Sequence, residues 1–236
     1  MPDPSRPVCA VLGVGPGNGA ALARGFAAAG YAVALLARRA AFIDELACEL
    51  SGSLALTCDI GQPADVAQAL ARVAQMLGPV QTLVYNGGRG AFGPIDQVGV
   101  EDFEATWRVH TLGLYASARQ VIPAMQQRGR GNIVVIGATA SRRGVAGTAA
   151  FAPAKMAQKG LAESMARHLG PQGIHVSLLI LDGLVLSPAS RARRPDWPDE
   201  RFIHPDAVAA AALALTQQAP SAWTFEMDLR PAQESW

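Results

Sequence analysis

Glycines stand at positions 13, 15, 17 and 19, directly after the apolar run Val-Cys-Ala-Val-Leu at 8–12. That run has the length and character of a strand. A helical pattern follows the glycines, with Leu22 and Phe26 on one face. A strand, a glycine turn and a helix start together make a place to hold a diphosphate. Glycine lets the backbone approach a ligand and permits positive φ. The helix N-terminus adds unpaired N–H groups and a dipole that favours negative charge. A tight strand-to-helix turn without any ligand has the same pattern, so the rest of the chain must decide between the two.

The elements that would position this loop alternate along the whole sequence. Apolar strands are predicted at 32–37, 54–58, 82–85, 133–136, 175–181 and 223–229. Helices are predicted at 41–50, 64–77, 101–127, 154–169 and 207–217. Pro123 is expected to kink the long helix or mark a local break in it. Short, continuously apolar strands separated by helices indicate a parallel sheet covered on both faces. Right-handed crossovers then give an α/β fold: a doubly wound, Rossmann-like parallel seven-stranded sheet with helices on both faces. Ligands in such folds bind at the carboxyl ends of the strands. Gly13, Ala37, Asp59, Asn86, Gly137 and Leu181 stand at those predicted ends and should share one rim. The stretch 187–204, rich in proline and charge, suits a flap over that rim or a solvated connector.

Bulk properties exclude several classes. The 236 residues show no composition break, so one domain over 1–236 is expected. Half the residues are hydrophobic and 17% are charged, which argues against disorder. A net charge of +1 gives no electrostatic case for nucleic acid or a membrane surface. No apolar run reaches the ~20 residues of a membrane span. The opening MPDPSRP lacks the layout of a secretory signal. Cys9, Cys48 and Cys58 make an odd count without metal-ligand spacing, so no metal site is expected. Buried thiols in a reducing, cytoplasmic setting are the simplest reading.

Four ordered segments give the chain a resemblance to the short-chain dehydrogenase/reductase family over nearly its whole length. Gly13-x-x-x-Gly17-x-Gly19 is similar to the family's cofactor glycine motif, although Leu12 stands where threonine is usual. Asn86-Gly87-Gly88 resembles the Asn-Asn-Ala-Gly turn after the fourth strand. Phe151-x-x-x-Lys155 aligns with the catalytic Tyr-x-x-x-Lys. Asp182-Gly183-Leu184 to Pro188 resembles the Pro-Gly-x-x-x-Thr stretch at the nicotinamide end. The resemblance implies a dinucleotide held by Gly13, Gly15, Gly17, Asn18 and Gly19. It sets Asp59 and Ile60 near the adenine and Asn86, Gly87 and Gly88 behind the adenosine ribose. Lys155 would bond the nicotinamide ribose, with Gly183, Val185 and Ser187 near the carboxamide. Arg38 and Arg39 follow the second strand, and no acid competes for that place. Arginine suits a 2′-phosphate where an acidic residue would suit a 2′-hydroxyl, so NADP (NADPH) is the expected cofactor.

The catalytic half departs from the family pattern. The family polarises a carbonyl with serine, donates a proton from tyrosine, tunes that tyrosine with lysine and holds a water relay with asparagine. By this resemblance, Ala138 stands for the serine, Phe151 for the tyrosine and His110 for the asparagine, and only Lys155 remains. The usual proton transfer cannot run through alanine and phenylalanine. Replacement candidates are His110, which titrates near neutral pH, and Thr139 or Ser141, which carry hydroxyls. Both have bland alternatives: a helix hydrogen bond for His110 and loop capping for the hydroxyls. Tyr85 and Tyr31 read as packing residues, and Tyr115 lies on the long helix. Arg89, Arg142 and Arg143 could meet an anionic substrate. His168 and His175 lie away from the rim.

Three functions are compatible with this set. The first is an NADP-dependent oxidoreductase with an altered proton donor, acting on a small carbonyl or a conjugated C=C bond. Dienoyl-CoA reductases of the superfamily likewise lack the tyrosine at this position. The second is a non-redox enzyme, and the third a regulatory protein that keeps NADP as a structural ligand. Hydride transfer predicts open space over the nicotinamide face, whereas a sensor tolerates a filled one. The resemblance also implies a homodimer or homotetramer through the helices at 101–127 and 151–169, which are apolar on more than one face. The tail from Trp223 to Trp236 would reach a neighbouring subunit.

Overall fold

Every residue of β1 (Val8–Leu12) and β2 (Ala32–Ala37) is buried, because both strands lie inside a sheet covered on two faces. In the computed structural model, residues 5–88 and 90–234 are described. The remaining strands are β3 (Leu54–Thr57), β4 (Thr82–Tyr85), β5 (Gly131–Ile136), β6 (Ile174–Leu181) and β7 (Glu226–Leu229). All seven pair in parallel in the order β3-β2-β1-β4-β5-β6-β7. The chain runs outward from β1 in both directions, which places the topological switch between β1 and β4.

Alternation along the strands divides the core. Val8, Ala10 and Leu12 face one layer together with α3 (Pro63–Met76), α5 (Gly113–Arg128) and α6 (Phe151–Leu169). Cys9 and Val11 face the other, with α1 (Asn18–Ala28), α2 (Ala40–Glu49) and α8 (Pro205–Thr216). Each fully buried Leu or Phe, such as Leu22 and Phe26 of α1, contributes about 1.5–3 kcal/mol. Close approach of α1 to α8 rests on Gly25, where a Cβ would lie 3.2 Å from that of Ala209.

The structure refines several predicted boundaries. The helix expected at 154–169 begins at Phe151, so Phe151 and Lys155 share one helix, one turn apart. β7 starts at Glu226 rather than 223, because Trp223 follows a 3₁₀ turn and its ring stacks on His175 at 4.8 Å. The long helix expected at 101–127 has three parts: α4 (Val100–Trp107), a π turn at Arg108–Leu112, and α5. Pro123 lies inside α5, and the departure from α geometry comes earlier, at the π turn. A π turn leaves backbone groups for outside partners. Here Tyr85 donates its hydroxyl to the Val109 carbonyl, and Gln158 Nε2 donates to the His110 carbonyl at 3.1 Å. Thr111 Oγ1 adds a bond to the Ala154 carbonyl at 3.0 Å.

The 187–204 stretch forms a helix, α7 (Pro188–Arg193), and a 3₁₀ turn at Asp199–Arg201. Phe202 is buried, and Val185 bridges to Ile203. The stretch is therefore anchored at both ends. No described helix is long and apolar enough to cross a membrane.

Candidate functional site

Two adjoining cavities open at the carboxyl ends of the strands. The first, of about 650 Å³, is lined by Gly13, Gly15, Gly17, Asn18, Gly19, Arg38, Arg39, Asp59, Ile60, Asn86, Gly88 and Val185. The second, of about 540 Å³, contains Gly87, His110, Ala138, Thr139, Phe151, Lys155 and Gly183. Asn18, Asn86, Gly88, Val185, Ser187 and Ala189 belong to both, so the two form one continuous crevice. Every described residue assigned to the cofactor from sequence lines this crevice, as do Lys155, His110 and Thr139, whereas Ser141 does not. Arg89 lies outside the described residues.

The glycines divide into two kinds. Gly13 has φ +86°, and a Cβ there would lie 2.1 Å from the Asn86 carbonyl oxygen. At Gly19 a Cβ would sit 2.6 Å from Val14 Cα. These two are demanded by the fold itself. Beyond its two chain neighbours, Gly15 has nothing within 4 Å of the same point, and Gly17 meets Ser187 Cβ only at 3.5 Å. Packing does not require them to be glycine; a ligand pressed against the loop would. The Asn18 and Gly19 N–H groups open α1, where helices leave N–H donors without intrahelical partners. Asn18 Oδ1 is buried and has no hydrogen-bond partner among the described residues, at the place where the cavities meet. A molecule crossing from one cavity to the other would supply that partner. Asn86 Nδ2 donates to the Gly13 carbonyl at 2.8 Å and locks the loop to β4. On the far side, Ser190 Oγ donates to the Val185 carbonyl at 2.6 Å, and Ser187 caps α7. The residues present thus fit a dinucleotide lying along the crevice, with Arg38 and Arg39 exposed at one end.

The second cavity holds the residues of chemical interest. Lys155 is 3% exposed, and its Nζ donates to the Ile136 carbonyl at 2.8 Å and to Gln158 Oε1 at 3.0 Å. Gln158 is the residue that sequence reasoning missed. It sits one turn after Lys155, and that spacing could have marked it. Through its other end it reaches the His110 carbonyl, so it ties the lysine to the π turn. Burial lowers the Lys155 pKa to about 7. Below pH 7 both folded and unfolded chains carry the proton. As pH rises through 7 the folded lysine loses it, while the unfolded one keeps it to about 10.4. The unfolded state binds more protons across that window, so stability rises with pH there. Urea midpoints of the nucleotide-free chain should therefore rise between pH 7 and 9.5 more steeply than those of Lys155→Met.

His110 is buried, its ring meets Phe151 edge-on at 5.4 Å, and its Nδ1 lies 3.4 Å from where a Gly87 Cβ would be. Phe151 also packs against Phe92 at 4.9 Å. An aromatic wall therefore occupies the position that the sequence aligns with a tyrosine. The Thr139 hydroxyl donates to Asp182 Oδ1 at 2.7 Å, leaving its oxygen to act only as an acceptor toward the cavity. Asp182 is held in turn by Arg230 at 3.2 Å. Ser141 is buried and accepts from the Ala138 N–H at 3.2 Å. Tyr85 is fully buried, and burial pushes its phenol pKa well up. Among the described residues no tyrosine lines either cavity. Arg142 is drawn to Glu226 and Asp228, away from the cavity that Arg143 lines. His175 bonds the Thr224 carbonyl through Nε2 at 2.9 Å beside Trp223, and His168 neighbours Gln172 on the end of α6. No cluster of three or more metal-ligating side chains occurs among the described residues.

Comparison with known proteins agrees with this geometry. Residues 7–197 match the short chain dehydrogenase family. The inactive 2-(S)-hydroxypropyl-CoM dehydrogenase 2 of Xanthobacter autotrophicus is 31% identical over 209 residues, covering 82% of this chain and 90% of the relative. A short-chain dehydrogenase structure from Rhodopseudomonas palustris is 33% identical with a TM-score of 0.82, covering 98% of this chain and 100% of that one. A metagenomic short-chain oxidoreductase solved in complex with NADP is 28% identical with a TM-score of 0.82, again over 98% and 100%. On sequence, sheet order and the crevice at the strand ends, this chain belongs to the short-chain dehydrogenase family of oxidoreductases.

Proposed function

We propose that this chain is an NADP(H)-dependent oxidoreductase that acts on a small carbonyl or conjugated C=C substrate without the family's tyrosine and serine. The observation that carries the reading is the open second cavity, continuous with the glycine crevice and floored by Lys155. Open space there favours hydride transfer over a filled, purely structural nucleotide site. The cofactor assignment is supported by Arg38 and Arg39 at the end of β2 and by the NADP-bound structural relative. Replacing both arginines with alanine should weaken NADPH binding by about 10- to 100-fold, the range for losing hydrogen bonds to a charged phosphate, and leave NADH little changed. Fluorescence titration checks this.

When bound, the reduced nicotinamide supplies a hydride; the chain must place the acceptor and provide a proton. Phe151 and Ala138 have no proton to give. Lys155 Nζ has three hydrogens when charged, of which two are committed to Ile136 and Gln158, so one remains for the cavity. With its pKa near 7, it changes charge in the range where a general acid is most effective. His110 lines the same cavity, with its buried ring edge-on to Phe151 at 5.4 Å. Protonation of a carbon next to a carbonyl can also come from solvent, which suits an enone better than a ketone. The test is a screen of ketones and conjugated enones for NADPH oxidation, with Lys155→Met alongside. Enone turnover that falls in the variant supports the reading. NADPH binding with no turnover of either class would move the assignment to a nucleotide-binding regulatory protein.

A further inference from the structure

The second cavity carries two guanidinium groups that the proposed chemistry does not use. Arg143 lies on the loop after β5 and Arg193 closes α7, on a different element of the same cavity. Their neighbours are all engaged. Arg142 pairs with Glu226 and Asp228 at 2.5 Å. Arg191 pairs with Asp199, Arg194 lies over Trp197 at 5.3 Å, and Arg201 lies over the same ring at 4.4 Å. Arg143 and Arg193 have no hydrogen bond or ion pair from their guanidinium groups among the described residues. Among the described residues no Asp or Glu lines the cavity. Phe92, 60% exposed, and Val145, 63% exposed, add apolar surface to the same cavity.

We propose that Arg143 and Arg193 form an anion-binding pair at the mouth of the second cavity, so that the substrate is an apolar molecule carrying a carboxylate, sulfonate or phosphate away from its reacting carbon. This rests on the reading of the second cavity as the substrate site. Two cations facing one space without a counter-charge raise its affinity for an anion, and a planar guanidinium binds oxyanions in a two-point fork. The aromatic wall of Phe92 and Phe151 takes the apolar body. Because the two arginines lie on separate elements, one anion would tie α7 to the loop after β5.

The test compares acids with their neutral esters. Purified full-length chain, with and without NADPH, is titrated with 4-acetylbenzoate and 4-oxopentanoate and with the methyl ester of each. The same titrations are run on Arg143→Gln, Arg193→Gln and the double variant, with circular dichroism to verify folding. The acid should bind about tenfold or more tighter than its ester, as expected for charge-assisted hydrogen bonds. That ratio should fall to near one in the double variant. Equal binding of acid and ester to the unaltered chain, binding of neither, or a preference that survives the double substitution overturns the proposal. NADPH affinity, read in the same samples, reports on the cofactor separately. An acid preference without NADPH binding keeps the anion pair and removes the oxidoreductase reading.

Discussion

Replacing Gly13 with alanine is expected to destabilise the chain by about 2–5 kcal/mol and to abolish NADPH binding. The positive φ of 86° costs a side chain about 1–2 kcal/mol. The collision of the new Cβ with the Asn86 carbonyl, 2.1 Å away, adds about 1–3 kcal/mol of overpacking. Relief of that collision would pull the turn after β1 from the start of the loop after β4, which are joined by the Asn86 side chain. Gly15→Val is the informative partner. Beyond its two chain neighbours nothing in the described residues lies within 4 Å of its Cβ position, so its urea midpoint should stay near that of the unaltered chain while NADPH binding is lost. Denaturation and nucleotide titration of the two variants together separate a fold glycine from a ligand glycine. If Gly15→Val binds NADPH normally, the loop is only a turn.

The second large effect concerns the proton. Installing Phe151→Tyr together with Ala138→Ser should raise NADPH-dependent ketone reduction by about 10²-fold, the lower end of what general acid–base catalysis supplies. Phe151 already lines the cavity, one helical turn before Lys155, with the lysine Nζ 5.9 Å from its ring centre. A charged lysine at that range favours a phenolate and so lowers the tyrosine pKa, while the phenolate raises the lysine's. Ala138 lies at the edge of the same cavity, with its N–H already fixed by Ser141. Steady-state rates with a ketone panel are the measurement. An unchanged rate would mean that the missing donor does not limit this chain.

The sequence carried the layered fold because its signals are local. Val8–Leu12 and Ala32–Ala37 are unbroken apolar runs, and each became a buried central strand. The glycine loop and the Asn86 turn could be placed on one rim because both follow such strands. What stayed hidden depends on contacts between distant segments. The π turn at Arg108–Leu112 is held by Tyr85 and Gln158, which lie 24 and 48 residues from the carbonyls they meet. The commitment of the Thr139 hydroxyl to Asp182 spans 43 residues. The stretch 187–204 read more readily as a flap than as a solvated connector, since nothing in its composition tells that Phe202 is buried and Arg193 faces a cavity. The candidate residues were legible, but their hydrogen-bond partners were not.

Titration of the purified chain with NADPH and with NADH shows whether the glycine crevice holds NADP(H). Binding of NADPH at least about tenfold tighter than NADH, a difference of about 1.4 kcal/mol, is the predicted result. Equal affinity would contradict the role of Arg38 and Arg39. Failure of both nucleotides to bind would leave the crevice as a feature of the fold alone.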